Sequence, residues 1–165
     1  MQIRLADPDD APAIIEFLNV LYLETDYMLF EADEFTMTAE QQKQQIVTRA
    51  KEGTGVILLC VQDAKIVGIL FGMRSHLKRI NHILYLVLGV LSQWHRQGIG
   101  YRLMTEVTDW ARSNSIGRME LIVDVRNTGA IGLYEKVGFQ VEGLRRRARR
   151  FGDLFVDEHT MGRLL

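Results

Sequence analysis

Ile14, Phe17, Leu18 and Leu21 recur at three- and four-residue steps, the spacing that stacks side chains along one face of a helix. Asp7 caps this helix, Pro8 opens its first turn, Asp9 and Asp10 follow as first-turn acids, and the stripe runs to about Leu23. Ile3 to Ala6 before it reads as a short strand. A second helix is announced by Thr38-Ala39-Glu40-Gln41, a capping box in which Gln41 reaches back to the Thr38 backbone, and extends to about Lys51, closed by Gly53 and Gly55. Between the two helices the period dissolves. There Glu24, Asp26, Glu31, Asp33 and Glu34 are interleaved with Tyr27, Met28, Phe30 and Phe35, as a solvated loop or as an acceptor-binding lip for a cationic substrate.

From Val56 the pattern becomes β-rich. Val56 to Gln62 and Ile66 to Arg74 are two strands joined by the tight connection Asp63-Ala64-Lys65. His82 to Val90 is almost continuously apolar, as expected of a central strand covered on both faces. Ile99, Leu103, Val107 and Trp110 mark a third helix that ends near Asn114 to Gly117, and Met119 to Val123 is another strand. Asn127 caps a short helix with Ala130, Leu133, Tyr134 and Val137 on one face and Gly138 as its stop. Phe139 to Leu144 and Leu154 to Met161 read as two strands around an arginine-rich connection.

This order of elements implies an α/β fold: a single mixed sheet of about six to seven strands with helices on both faces. The strand-loop-helix-strand portion around Val90 to Met119 is expected to be a right-handed crossover between parallel strands. A chain of 165 residues suits one compact domain spanning residues 1–165. Charged residues make up a quarter of it and cancel to a net −1, so no global field draws it to nucleic acid or an anionic membrane. Cys60 sits alone in an apolar run, which leaves no intramolecular disulfide. His76, His82, His95 and His159 lack the spacing of a zinc site, so no metal is expected. The N-terminus has no signal-peptide core and no apolar run approaches spanning length, so the expected compartment is the cytoplasm.

The candidate chemistry gathers at Leu91-Ser92-Gln93-Trp94-His95-Arg96-Gln97-Gly98-Ile99-Gly100, where the apolar strand runs into a helix start. Unpaired N–H groups and the positive end of the helix dipole attract anions there, phosphate above all. Gly98 and Gly100 lack a Cβ, which allows φ above zero and close approach of a ligand oxygen. The dinucleotide fingerprint fails because Leu103 stands where its third glycine belongs, and the nucleotide-triphosphate loop fails because no Gly-Lys-Ser/Thr follows. A plain strand-to-helix turn remains the alternative for the glycines taken alone.

Together with a second motif, these residues resemble the GNAT superfamily of acyl-CoA-dependent N-acetyltransferases. The family's loop, Arg or Gln followed by x-x-Gly-x-Gly/Ala after a strand ending in Val, becomes Val90 and then His95-Arg96-Gln97-Gly98-Ile99-Gly100 here. Asn127-Thr128-Gly129-Ala130-Ile131-Gly132-Leu133-Tyr134-Glu135-Lys136-Val137-Gly138-Phe139 matches the family's Asn-x-x-Ala-x-x-Leu-Tyr-x-x-x-Gly-Phe at every marked position, and is the more specific of the two. The departure is His95 at the loop's first position, which leaves the backbone cradle intact and passes any side-chain phosphate contact to Arg96.

The resemblance implies that coenzyme A lies where the strand ending at Val90 splays from the strand ending near Asp124. Backbone groups of Leu88 to Val90 then bond the pantetheine arm as a missing strand would. The N–H groups of Gln97, Gly98, Ile99 and Gly100 hold the pyrophosphate, and Asn127, Ala130, Tyr134 and Lys136 line the other wall. The implied reaction is attack of a primary amine, on a small molecule or a peptide, on the thioester of acetyl-CoA. Tyr134 is then the group that protonates or hydrogen-bonds the departing thiolate. With a phenol near pKa ~10 and a thiol near ~8.5, full transfer is uphill by about 2 kcal/mol. A lysine-like amine is neutral only about once in 10³ at pH 7, so a base is needed. The run Ile83 to Leu88 holds no carboxylate, and Glu120, Asp124, Glu24 and Asp26 all stay open as candidates.

Arg145-Arg146-Arg147-Ala148-Arg149-Arg150 is the one strong charge patch, either a solvated connection or a contact for an acidic substrate, nucleic acid or the 3′-phosphate of coenzyme A. The near-zero net charge argues against an RNA-associated protein. A different class, a non-catalytic acyl-CoA-binding regulatory or partner-binding module, is disfavoured by Tyr134 and the intact Asn127 motif. The resemblance is also compatible with a homodimer.

Overall fold

A computed structural model describes all 165 residues. Seven strands are joined into one sheet: β1 (Gln2–Leu5), β2 (Gly55–Gln62), β3 (Lys65–Arg74), β4 (Ile83–Val90), β5 (Arg118–Asp124), β6 (Gln140–Phe151) and β7 (Leu154–Leu164), in the spatial order β1-β2-β3-β4-β5-β7-β6. Every neighbouring pair is antiparallel except β4 and β5. That pair is parallel because a helix crosses between its members, as the crossover rule requires.

Four helices cover the two faces: α1 (Ala11–Glu24), α2 (Ala39–Glu52), α3 (Ile99–Ser113) and α4 (Thr128–Lys136). Side chains alternate across a strand, and the core splits accordingly. On one face Ile14, Phe17, Leu18 and Leu21 of α1 pack with Ile57, Leu59 and Ile69. On the other, Ile99, Leu103, Met104 and Val107 of α3 pack with Leu58, Leu70, Leu84, Leu86 and Met119. The apolar stripes read from the sequence are therefore the two buried faces. The expected caps are also present: Thr38 and Gln41 form the reciprocal box, and Gly53 ends α2 at φ 63°.

The last two strands correct one expectation. Arg145 to Arg150 do not connect two strands; they lie within β6, and the hairpin turns beyond them at Gly152-Asp153. The strand continues because its bulge absorbs the run: Arg145 pairs with Glu158 and Arg149 with Val156, which leaves three residues of β6 opposite the single Asp157 of β7. Such a bulge bends an edge strand and re-aims its side chains. Arg147, at φ 51°, makes the bend.

Candidate active site

β4 and β5 pair only from Ile83↔Arg118 through Tyr85↔Glu120. Beyond that vertex the two strands part, so Leu86 to Val90 and Leu121 to Asp124 face each other with unpaired edges in the middle of the sheet. Open backbone edges attract an extended ligand for the same reason they attract a strand.

At the mouth of this cleft the chain turns through Ser92–Trp94, a short 3-10 segment, into α3. The N–H groups of Arg96, Gln97 and Gly98 meet no backbone carbonyl, and those of Ile99 and Gly100 belong to the first turn of α3. Arg96 and Gly98 are both left-handed, at φ 58° and 77°. A Cβ at Gly98 would meet nothing within 4 Å, so glycine there serves the backbone angle and leaves the cradle open. Gly100 has a different reason from the one its spacing suggested. It is helical, and a Cβ on it would stand 2.8 Å from Leu133 Cδ2, so its absence lets α3 and α4 close together.

His95 is exposed, and its Nε2 lies 2.9 Å from the Val90 carbonyl oxygen. The departure from the loop pattern thus ties the loop back to the end of β4, and it engages the carbonyl of one residue expected to face the pantetheine arm. Leu88 and Ala130 are half-buried against the α3 side of the core. Asn127 Oδ1 accepts the Ala130 N–H at 3.1 Å, capping α4 as its position suggested. Lys136 is exposed and sits 5.0 Å over the Tyr101 ring.

Tyr134 is 8 % exposed, with Phe139 packed at a ring separation of 6.1 Å. Its hydroxyl is neither hydrogen-bonded within the chain nor sealed among the enclosed unpaired atoms, which are Gln42 Nε2 and His159 Nδ1. A core aromatic with a locally satisfied hydroxyl does not look like this. Burial pushes the phenol up to about 12, with Tyr85 adding to the effect. The group is therefore a neutral O–H at any physiological pH.

The sheet face away from α3 carries a polar set that sequence reasoning gathered only in part. By strand alternation Tyr85, Glu120, Asp124, Glu158 and Arg145 share it. Asp124 has a fully buried side chain that takes Arg126 Nη2 at 2.7 Å and Arg149 Nη2 at 2.8 Å. Burial raises its pKa, but these hydrogen bonds outweigh that and hold it below the usual carboxylate range. Arg149 also donates to the carbonyls of Tyr27 and Met28, each at 3.0 Å, clasping the lip between α1 and α2 onto the sheet. Glu24 accepts the Ser92 N–H at 2.8 Å. Beside the clasp lies a cavity of about 680 Å³, whose lining includes Tyr22, Asp26, Phe30, Glu31, Arg149 and Arg150. Tyr22, Phe30 and Phe35 stack at 4.9 to 5.9 Å to stiffen its wall. The sequence gives no role to Tyr85, and it presents Arg149 only within the charge patch 145–150, with Glu158 among the acids that balance that patch. The available signal was parity: Tyr85 is the one hydroxyl in an apolar strand that enters a cleft.

Residues 16–139 match the acetyltransferase (GNAT) family. The chain belongs to the GNAT family. Similar to it is the L-amino acid N-acetyltransferase AaaT of Escherichia coli (strain K12), 32 % identical over 119 residues, 69 % of this chain and 70 % of that protein. The crystal structure of a GNAT-family acetyltransferase from Streptococcus pneumoniae superposes with a TM-score of 0.95 at 33 % identity, covering 99 % of this chain and 98 % of the other. The structure of yncA from Salmonella typhimurium, solved with its cofactor acetyl-CoA, has the same fold at 20 % identity, with a TM-score of 0.89 over 100 % of this chain and 94 % of that one. GNAT membership accounts for the mixed sheet with a splayed parallel pair, and acetyl transfer is the family's activity. No helix is long and apolar enough to cross a membrane.

Proposed function

We propose that this GNAT chain transfers the acetyl group of acetyl-CoA to a primary amine of a small molecule or a peptide, by direct attack on the thioester. The observation that carries this reading is the Tyr134 hydroxyl, unpaired within the chain and raised to about 12, on the wall of a cleft that ends in an open N–H cradle.

The cleft fits the coenzyme on its own terms. The unpaired edge of Leu88 to Val90 is a place for an amide-containing arm, with the Val90 carbonyl already engaged by His95. The N–H groups of Gln97, Gly98, Ile99 and Gly100 suit the pyrophosphate, with Arg96 beside them for charge. Asn127, Ala130 and Lys136 supply the opposite wall. Bound there, acetyl-CoA contributes an activated acyl group and a thiolate that leaves. Tyr134 holds a proton at its hydroxyl for that sulfur. Full transfer from a phenol near 12 to a thiol near ~8.5 is uphill by about 5 kcal/mol, so hydrogen-bond donation is its larger contribution.

Acceptor choice falls to the lip and the cavity beside Arg149. Its mixed lining, acidic at Asp26 and Glu31, basic at Arg150 and aromatic at Phe30, suits an acceptor with charge of both signs and an apolar body, as in amino acids and short peptides. AaaT, named for L-amino acids, points the same way.

Calorimetric titration with acetyl-CoA and release of free thiol with a panel of amino acids, short peptides and diamines test the reading. Tight binding with amine-dependent thiol release is expected. Binding without turnover on any amine makes the chain an acyl-CoA-binding module, and absence of binding removes the cleft assignment altogether.

A further inference from the structure

Six arginines are half-buried, and five of them are partnered within the chain. Arg4 holds Asp10, Arg74 donates to the carbonyls of Asn81 and Asn114, Arg118 pairs with Glu142, Arg149 with Asp124, and Arg163 donates to the Thr108 hydroxyl. Arg49 is the sixth, and no carboxylate, carbonyl or hydroxyl of the chain accepts from its guanidinium. Nor is the group sealed in, since the enclosed unpaired side-chain atoms are Gln42 Nε2 and His159 Nδ1. Burial lowers the Arg49 pKa and no acid offsets the effect. A guanidinium stays charged all the same, so Arg49 is a partly desolvated cation for which the chain supplies no anion. Such a charge costs stability until a partner meets it. Answering the dipole at the end of α2 does not require it, because Lys51 in the same last turn does so from the surface.

The fold lays this cation on the sheet. The Arg49 carbonyl takes the Gly53 and Thr54 N–H groups at the end of α2, and the Thr54 carbonyl takes the N–H of Arg74 on β3, which fixes the residue's backbone against the strands. Its side chain lies over Gly55, where a Cβ would stand 3.3 Å from Nη1. Gly55 pairs with Met73, and Met73 with Tyr85. Paired residues share a face, so the guanidinium, Met73 and Tyr85 form one row on the face away from α3. Two strand spacings, about 10 Å, separate the ends of that row. Tyr85 stands in the last β4–β5 pair before the cleft opens, close enough to Tyr134 to help raise that phenol. With Tyr134 serving the sulfur, the attacking amine falls at the Tyr85 end.

We propose that Arg49 binds the carboxylate of the acceptor, and that the acceptor is a dipeptide acetylated on its N-terminal amine. This rests on the acetyl-transfer reading and narrows it. A chain extends about 3.5 Å per residue, so a dipeptide separates its charged ends by about 7 Å, and a hydrogen bond of about 3 Å to the guanidinium completes the span. A free amino acid, with both charges within about 3.5 Å, falls short. A carboxylate also matches the fork of one guanidinium through two parallel hydrogen bonds, whereas a phosphate dianion brings two charges to a single cation. The first residue's side chain is left to the aromatic cavity beside Arg149. In the transfer itself the N–C bond forms as the C–S bond breaks, the sulfur takes one amine proton by way of Tyr134, and the ammonium's extra proton passes to water.

The test uses the full chain, acetyl-CoA and a length series with one N-terminal residue: the free amino acid, the dipeptide, the tripeptide, and the dipeptide amide, which lacks the anion. Thiol release is measured for wild type, Arg49→Gln and Arg49→Lys. Wild type is expected to reach its highest kcat/KM on the dipeptide and to lose about 10–100-fold on the amide, the size of a lost charge-assisted hydrogen bond. R49Q should lose about as much on the dipeptide, mainly through KM, and little on the amide, so that it no longer distinguishes the two; R49K recovers part of the preference. Acetyl-CoA affinity should match wild type by calorimetry. The denaturation midpoint of R49Q should hold or rise, because glutamine removes a charge that burial disfavours. Equal losses by R49Q on dipeptide and amide, a wild type indifferent to the amide, or a free amino acid acetylated faster than the dipeptide overturns the assignment while leaving acetyl transfer standing. If wild type binds acetyl-CoA and releases thiol with no amine at all, the transfer reading falls and this one with it.

Discussion

Arg149 joins Asp124 to the backbone of Tyr27 and Met28 through a single guanidinium, so the end of β5 and the lip between α1 and α2 share one clasp. Both partners are withdrawn from water: the Asp124 side chain is fully buried and that of Arg149 is 14 % exposed. Removing one charge of such a pair strands the other.

Asp124→Asn is therefore expected to cost on the order of 3 kcal/mol of stability at pH 7. The sign of the pH dependence follows from Asp124 lying below its ordinary value in the folded state. Its stabilisation is complete above the unfolded carboxylate pKa near ~3.9 and is lost as pH falls through the lower folded value. Chemical denaturation at pH 7 and at pH 3 should show the difference between mutant and wild type narrowing in acid. A constant difference would mean that packing, and not charge, accounts for the loss.

The clasp also marks the limit of what was legible in the sequence. Periodicity located every helix, because an amphipathic stripe such as Ile14, Phe17, Leu18 and Leu21 is written locally. The cradle and α4 were legible for a similar reason: Gly98 and the Asn127 cap act within a few residues of themselves. The run 145–150 reads as a connection in the sequence, since six consecutive residues without apolar–polar alternation do not resemble a strand. Only the facing strand reveals the bulge that accommodates them. Arg149 reaches carbonyls more than a hundred positions away, and Arg118 of β5 pairs with Glu142 of β6 over Gly162 of the strand between them. Such relationships arise from tertiary register and have no local signature.

Tyr134→Phe keeps the ring packed against Phe139 and deletes only the hydroxyl. Turnover should fall about 10²-fold, the lower range for a positioned proton donor, with acetyl-CoA affinity unchanged in a calorimetric titration. Because the phenol is raised to about 12, the wild-type rate should show no alkaline loss assignable to this group below pH ~11. Undiminished turnover in the variant would falsify the role.

Gly98 and Gly100 are expected to fail differently. Gly98→Ala has open space for its methyl, so its cost is the left-handed angle alone, about 1 kcal/mol. Gly100→Val has an ordinary helical angle but drives its branches into Leu133 and Leu88, an overpacking cost of about 1–3 kcal/mol. Denaturation midpoints measure both. The second variant should also weaken acetyl-CoA binding, because it separates α3 from the wall carrying Tyr134.

The β2–β3 hairpin offers a gain. Asp63 and Ala64 occupy its two turn positions at φ 50° and 61°, between the pair Gln62↔Lys65. A two-residue turn with both angles positive matches the twist of the strands but suits Asp-Gly far better than Asp-Ala. Alanine there bears a left-handed penalty of about 1–2 kcal/mol, and glycine removes it while adding some freedom to the unfolded chain. Ala64→Gly is thus expected to stabilise by about 0.5–1 kcal/mol, raising Tm by about 1–4 °C for a chain of this size. The turn lies at the far end of β2 and β3 from the Met73↔Tyr85 pairing, so acetyl transfer should be unaffected. A lower Tm would mean that the Ala64 methyl packs in a way that the turn geometry does not show.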